Sequence, residues 1–285
     1  MEATELKEKI SNLSIWKKNG QRAPHKPLLI LLGLAQLQQN NTILPYEQVR
    51  GKLKKLLIEF GPPRKSYHPE EPFVRHGIWT LTSTIDKRNF SDKLLIMEQV
   101  AGGFSLEVLA LLKNNDSLIQ QLAELLINEH FPETIHQDIL EEVGLDFSIR
   151  KKRARDSNFR DKILKAYEYG CAVCGFNVRL GNNLVAIDAA HIQWHQAGGP
   201  DTEENGIALC SLHHKLFDRG VFTITEEREL LVAEQAHGTN GFDEWLMRFH
   251  GKKVRSPIHP VYMPKDNFIN WHIREVFRGP ARYRI

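Results

Sequence analysis

Apolar positions in the first half of the chain recur at helical spacing. The run Pro27-Leu28-Leu29-Ile30-Leu31-Leu32-Gly33-Leu34-Ala35 is apolar on every side, which predicts a buried helix. Pro27 suits a helix start, where its missing N–H leaves no bond unmade. Val49, Leu53, Leu56, Leu57 and Phe60 lie on one helical face, and Gly61-Pro62-Pro63 ends that helix. The period then breaks. Tyr67, Pro69, Pro72, Phe73 and Trp79, with a turn at Gly77, predict a loop and a short strand over 78–81. Two further helices fit 105–113 and 117–128, each opened by a serine able to cap. Beyond position 155 the pattern changes again. A helix at 158–169 is followed by short strands alternating with turns as far as Ile224, and a last amphipathic piece lies near 268–277. The fold class is therefore α+β: a mostly helical first domain over 1–150 and a mixed second domain over 151–285.

Composition narrows the class. Of 285 residues, 41% are hydrophobic and 26% charged, ordinary for a water-soluble chain with a core in each half. The longest apolar run falls short of the ~18 residues a membrane helix needs, so no membrane partner is expected. The opening Met-Glu-Ala-Thr-Glu lacks a basic-then-apolar leader pattern, and a cytoplasmic location is the expectation. Net charge is +3, a weak pull towards polyanions. Local charge says more: Arg150-Lys151-Lys152-Arg153-Ala154-Arg155 puts five cations in six residues, with Arg160 just after. Such a run suits either a solvated linker or a nucleic-acid contact.

The three cysteines carry the clearest chemistry. Cys171-Ala-Val-Cys174 is followed by Cys210-Ser-Leu-His213. Two residues between ligands let both side chains of a tight turn reach one ion. Two such turns supply the four tetrahedral donors that structural Zn²⁺ prefers. A redox pair at 171 and 174 should instead open a helix after a strand, whereas here a helix is predicted before it.

Between the two halves of that clamp lie His191, Gly198-Gly199 and Asn205, with His214 and Asp218 just beyond. The stretch Asp188-Ala-Ala-His191-Ile … Asn205-Gly-Ile-Ala-Leu-Cys210 … His213-His214-Lys-Leu-Phe-Asp218 resembles the HNH, or ββα-metal, nucleases. The resemblance implies that His191 is a general base and that Asn205 holds the loop and orients it. It implies that His214 binds a catalytic divalent ion such as Mg²⁺ or Mn²⁺. His214 and Asp218 share a helical face, which suggests Asp218 as a second ligand. Many HNH proteins carry an aspartate directly before the first histidine. Ala190 stands there, and the nearest carboxylate, Asp188, is a further proposed ligand, although odd spacing turns it to the other face of a strand.

In the first domain, Gln21-Arg22-Ala-Pro-His25-Lys26-Pro27 puts cations before an apolar helix, an arrangement suited to an anion. A second cluster, Tyr67-His68-Pro69-Glu-Glu-Pro72-Phe73-Val-Arg75-His76, mixes rings with cations. Taken as residues alone, both also read as surface loops with buried anchors. Together with Gly102-Gly103-Phe104 they resemble the sulfur-binding domain of McrA-like type IV restriction endonucleases that attack phosphorothioated DNA. The resemblance implies a sulfur pocket floored by Tyr67, Pro72 and Phe73 and rimmed by Arg22, His25, Lys26 and Arg75. It implies a double-stranded DNA partner; cutting both strands takes two active sites or two events, so a homodimer is expected. Two other readings stand beside it: an HNH nuclease that reads another mark such as methylcytosine, with Tyr67, Phe73 and Trp79 as a cage, and a non-catalytic zinc DNA-binding protein.

Overall fold

The computed structural model describes residues 1–13, 15–18, 21–147 and 157–283. The chain divides into two compact units, Met1–Ile149 and Arg150–Ile285. The basic run at 150–155 lies outside the described residues.

The first unit opens with α1 (Ala3–Ser11), a hairpin of β1 (Trp16–Lys18) and β2 (Gln21–Ala23), and α2 (His25–Gln38). Helix α2 starts two residues before Pro27, which still falls in the first turn. Leu28 to Leu32, with Leu34 and Ala35, are at most 2% exposed, as a helix apolar on all sides requires. Then come β3 (Leu44–Pro45), α3 (Tyr46–Phe60), α4 (Glu70–Val74), β4 (Trp79–Leu81), α5 (Asp92–Met97), β5 (Ala101–Phe104), α6 (Leu106–Leu112), α7 (Asp116–His130) and α8 (His136–Val143). Helices α3, α4, α7 and α8 pack around α2. A three-stranded antiparallel sheet, ordered β3-β5-β4, closes one side. Gly33 permits this closure: a methyl group there would stand 2.9 Å from the Trp79 ring.

Two local expectations are corrected. The segment around Pro72, predicted as loop, forms α4, because Pro72 sits in a first turn where its missing N–H is tolerated. Helix α7 is capped by Asn115, whose side chain accepts from Leu118 N, rather than by Ser117.

The second unit starts with α9 (Ser157–Ala166). A two-stranded hairpin follows, β6 (Val178–Leu180) with β7 (Asn183–Val185). The central pair is β8 (Ile187–His191) and β9 (Gly206–Cys210), antiparallel with Ile187 opposite Cys210 and His191 opposite Gly206. Helix α10 (Ser211–Asp218) continues directly from β9 and packs back on both strands. A further hairpin, β10 (Phe222–Ile224) with β11 (Leu230–Val232), then α11 (Phe242–Trp245) and α12 (Asp266–Glu275), complete the unit. Alanines 189, 190 and 208 keep the central pair thin, so α9 and α10 both reach it.

Candidate active site

The first loop of the metal clamp is a tight turn. Gly175 N donates to Cys171 O at 2.8 Å, and Cys171 N to Phe176 O at 3.0 Å; Gly175 takes φ +74°, a conformation that favours glycine. Ala172 N donates to Ala208 O at 2.8 Å and ties this loop to β9. The second pair is set by the strand-to-helix junction, with Cys210 ending β9 and His213 in the first turn of α10.

The four donor atoms lie within 4.8 Å of one another, and none of the thiols is in a disulfide. Cys174 Sγ stands 3.9 Å from Cys210 Sγ, and His213 Nδ1 stands 3.1 Å from Cys210 Sγ. Thiolates bound ~2.3 Å from a tetrahedral ion stand about 3.8 Å apart, so the donor set fits zinc. His213 Nε2 donates to Trp245 O at 2.8 Å, which turns Nδ1 towards the thiols. Contacts from Cys174 and Cys210 hold the Cys171 thiol below its usual pKa. Among the described residues this is the one convergent group of three or more metal-ligating side chains.

At the far end of β8, His191 lies flat against Phe159 of α9, ring centroids 4.1 Å apart and planes 14° apart. Gly206 makes room for this, since a methyl group there would strike Ile163 of the same helix. His191 Nε2 lies 2.7 Å from Asp201 Oδ1. Asn205 is wholly buried. Its Oδ1 accepts from Gln193 N at 2.8 Å, and its Nδ2 donates to the carbonyls of Gln193 and Pro200, both at 3.0 Å.

On α10, His214 Nε2 lies 3.3 Å from Asp218 Oδ2, and Asp218 Oδ1 accepts from Trp194 Nε1 at 3.0 Å. Trp194 is three residues beyond His191, so the strand end and the helix are tied through the carboxylate. Two ligands of one octahedral ion ~2.1 Å away stand about 3 Å apart, so the 214–218 pair fits a shared cation. Asp188 is elsewhere. Its carboxylate accepts from Arg160 Nε at 2.9 Å and from its neighbour Ala189 N, as its strand parity requires. The structure thus pairs it with α9 and not with His214 and Asp218. Asp201 went unnoticed in sequence because an aspartate in a Gly-Gly-Pro-Asp turn reads as turn chemistry.

In the first unit the expected sulfur-pocket residues differ in their surroundings. Arg22 is 4% exposed, with its guanidinium 5.8 Å over the Phe131 ring. His25 opens α2. Burial, then the charges of His68 and Arg64, push its pKa down to about 4, so it is neutral near pH 7 rather than the expected cation. Burial, with the charge of Lys26, likewise takes His76 down to about 4. Arg22, His25 and Lys26 belong to one short segment, and His68, Arg64 and His76 act electrostatically on it. Tyr67 Oη bonds locally to Pro62 O at 3.4 Å. Pro72 is buried, and Phe73 is wholly buried between Tyr46 and Trp79, ring centroids 5.0 and 5.8 Å away. Phe73 is a core ring and not an open floor. Arg75 is exposed and engaged with Glu71, the Lys87 carbonyl and the Phe90 ring.

A ββα unit with a Cys₃His clamp and an imidazole–asparagine–imidazole series defines an HNH-type nuclease. The chain belongs to the family of the ScoMcrA-like DNA sulfur-binding domain, whose model matches residues 3–148, and residues 171–225 match the HNH endonuclease family. It carries a DNA sulfur-binding domain followed by an HNH endonuclease domain. No curated protein matches the chain. Among solved structures, the sulfur-binding domain of SprMcrA complexed with phosphorothioated DNA is 17% identical. That match covers 51% of this chain and 95% of the other, with a TM-score of 0.43. The modification-dependent restriction endonuclease TagI is 25% identical over 41% of this chain and 37% of its own, TM-score 0.31. The type IV phosphorothioation-dependent restriction endonuclease ScoMcrA is 18% identical over 49% of this chain and 32% of its own, TM-score 0.40. The chain thus spans about a third of those two enzymes. No helix among the described residues is long and apolar enough to cross a membrane.

Proposed function

We propose that the first unit captures a phosphorothioate in double-stranded DNA and that the second hydrolyses a phosphodiester bond nearby. The enzyme works in the cytoplasm, as a homodimer, because cutting both strands takes two active sites or two events. His191 is the general base. It takes a proton from water; the water oxygen forms a bond to phosphorus, and the bond from phosphorus to the leaving oxygen breaks. A divalent ion such as Mg²⁺ or Mn²⁺ at His214 and Asp218 would polarise the phosphate and stabilise the leaving oxygen. Zn²⁺ at Cys171, Cys174, Cys210 and His213 has a structural role. The carrying observation is the tie from the His191 strand, through Trp194, to the His214–Asp218 pair.

The sulfur preference is assigned to Arg22, His25 and Lys26, together with Pro72 and Tyr67. Phosphorothioate keeps the phosphate charge but exposes a larger, less hydrated atom. A neutral, half-buried imidazole such as His25 suits that atom, while Arg22 and Lys26 answer the charge. The test is digestion of matched phosphorothioated and plain duplexes with and without a divalent ion. The sulfur duplex should be cut, ion-dependently, and the plain one spared; equal cutting of both would sink the reading. His191→Ala should lower cleavage by about 10² or more while DNA binding persists.

A further inference from the structure

We propose that Asp201 is a positioning residue of the nuclease site and that Asn205 acts on His191 through it. This rests on His191 being the general base. The three side-chain hydrogen bonds of Asn205 go to Gln193 and Pro200. They close the loop that leaves β8 and returns to β9. Asp201 is the residue after Pro200, and its carboxylate meets the His191 ring at 2.7 Å. Gripping Pro200 O therefore fixes where Asp201 stands. Two glycines make the loop tight enough: Gly198 takes φ +83°, and a methyl group at Gly199 would strike the Gln193 carbonyl and crowd the Asn205 amide.

The contact has a chemical consequence. With Nε2–H donated to Asp201, the neutral ring carries its lone pair on Nδ1, the atom that then takes the proton from water. The carboxylate also stabilises the imidazolium that forms. Phe159 stacks on one face of the ring, so both ring plane and tautomer are set. Arg160 on α9 is held by Asp188, and Lys162 by Glu203; His195 stands edge-on to His191 at 6.0 Å; His214 and Asp218 pair on α10.

The experiment compares the parent, Asp201→Asn, Asp201→Glu and Asn205→Ser as full-length, zinc-loaded proteins, with melting curves and zinc content as folding controls. Single-turnover cleavage by Asp201→Asn should fall about ten- to a hundred-fold, with the Kd for phosphorothioated duplex unchanged. Loss of the carboxylate lowers the His191 pKa, so the acid limb of the pH–rate profile should move down by about one unit. Asp201→Glu should recover part of the rate; it also serves if the asparagine variant does not fold. Asn205→Ser should slow the parent but add little in the Asp201→Asn background. In DNA-free protein, the His191 imidazole signal in NMR should titrate about one unit lower in Asp201→Asn. An unmoved titration, or an unchanged rate and pH profile in a parent that does cleave, overturns the proposal alone. A raised Mn²⁺ requirement in Asp201→Asn also overturns it, by making Asp201 a metal ligand. A parent that cleaves neither duplex overturns the nuclease reading instead, whatever the titration shows.

Discussion

At the scale of single residues, His272 shows how burial decides charge. It is wholly buried on α12 and stacked on Phe217, centroids 3.7 Å apart and planes 4° apart. Thr223 Oγ1 lies 2.9 Å from Nδ1, and Nε2 donates to Phe217 O at 3.1 Å. Both nitrogens are thus satisfied in the neutral ring, and burial drives the pKa from 6.5 down to about 3. The unfolded chain binds this proton more readily than the folded one. Stability from a neutral His272 is fully present above about pH 6.5 and is lost as pH falls from there towards 3, by up to ~1.4 kcal/mol per pH unit. Urea titrations of the parent and His272→Asn between about pH 7.5 and 4.5 should show a steeper acid loss in the parent; parallel curves would refute the assignment. His25 and His76, each lowered to about 4, add the same sign of dependence in the first unit. Residue identity was legible where chemistry is spacing-bound. Three cysteines and a histidine in two short turns leave few alternatives. Phe73 faces the core because of the packing of Tyr46 and Trp79, which a ring in sequence does not reveal, whereas the side of the strand that Asp188 takes was legible from its parity, and only its partner Arg160 was not.

At the scale of elements, the α2 run and the α3 face could be read directly, because a continuous apolar stretch and an i, i+4, i+7 pattern each have one good helical solution. Short elements could not. Helix α4 is five residues long with a proline inside, and β1 and β2 are three each; their order comes from what they pack against. Caps give a direct test. Asn115→Ala removes the acceptor for Leu118 N and should cost about 1 kcal/mol, whereas Ser117→Ala should cost a few tenths at most. Denaturant midpoints separate the two, and equal costs would contradict the Asn115 cap. The clamp between the 171–174 turn and the β9–α10 junction makes a larger claim. A structural zinc ion supplies on the order of 10 kcal/mol of folding energy in small zinc modules. Stripping zinc from the parent, or Cys174→Ser, should abolish the cooperative melting of the second unit and leave that of the first, whose apolar α2 core contains no metal ligand. Calorimetry reads this as the disappearance of one transition; two intact transitions in zinc-free protein would disprove the structural role.

For the whole molecule, the linker expected from sequence is the basic run at 150–155, and the chain divides into compact units Met1–Ile149 and Arg150–Ile285. What pattern could not convey is how reading and cutting divide the work, and salt provides a way to ask. Phosphorothioate and phosphate carry the same charge, so both DNAs release the same number of counterions when bound. Raising salt from about 50 to 200 mM should therefore weaken binding of the two duplexes in parallel, with log Kd against log salt sharing one slope. On the proposed assignment of the sulfur preference to the His25 segment, the ratio of the two affinities should stay constant, since it would come from the fit of sulfur and not from charge. Replacing Arg150, Lys151, Lys152, Arg153 and Arg155 with serine should lower the shared slope by about 0.9 for each phosphate that these cations neutralise, and leave the ratio untouched. Replacing His25 should do the reverse. A ratio that collapses with salt would mean that discrimination is electrostatic, and the division between a charge-holding and a sulfur-reading set of side chains would have to be abandoned.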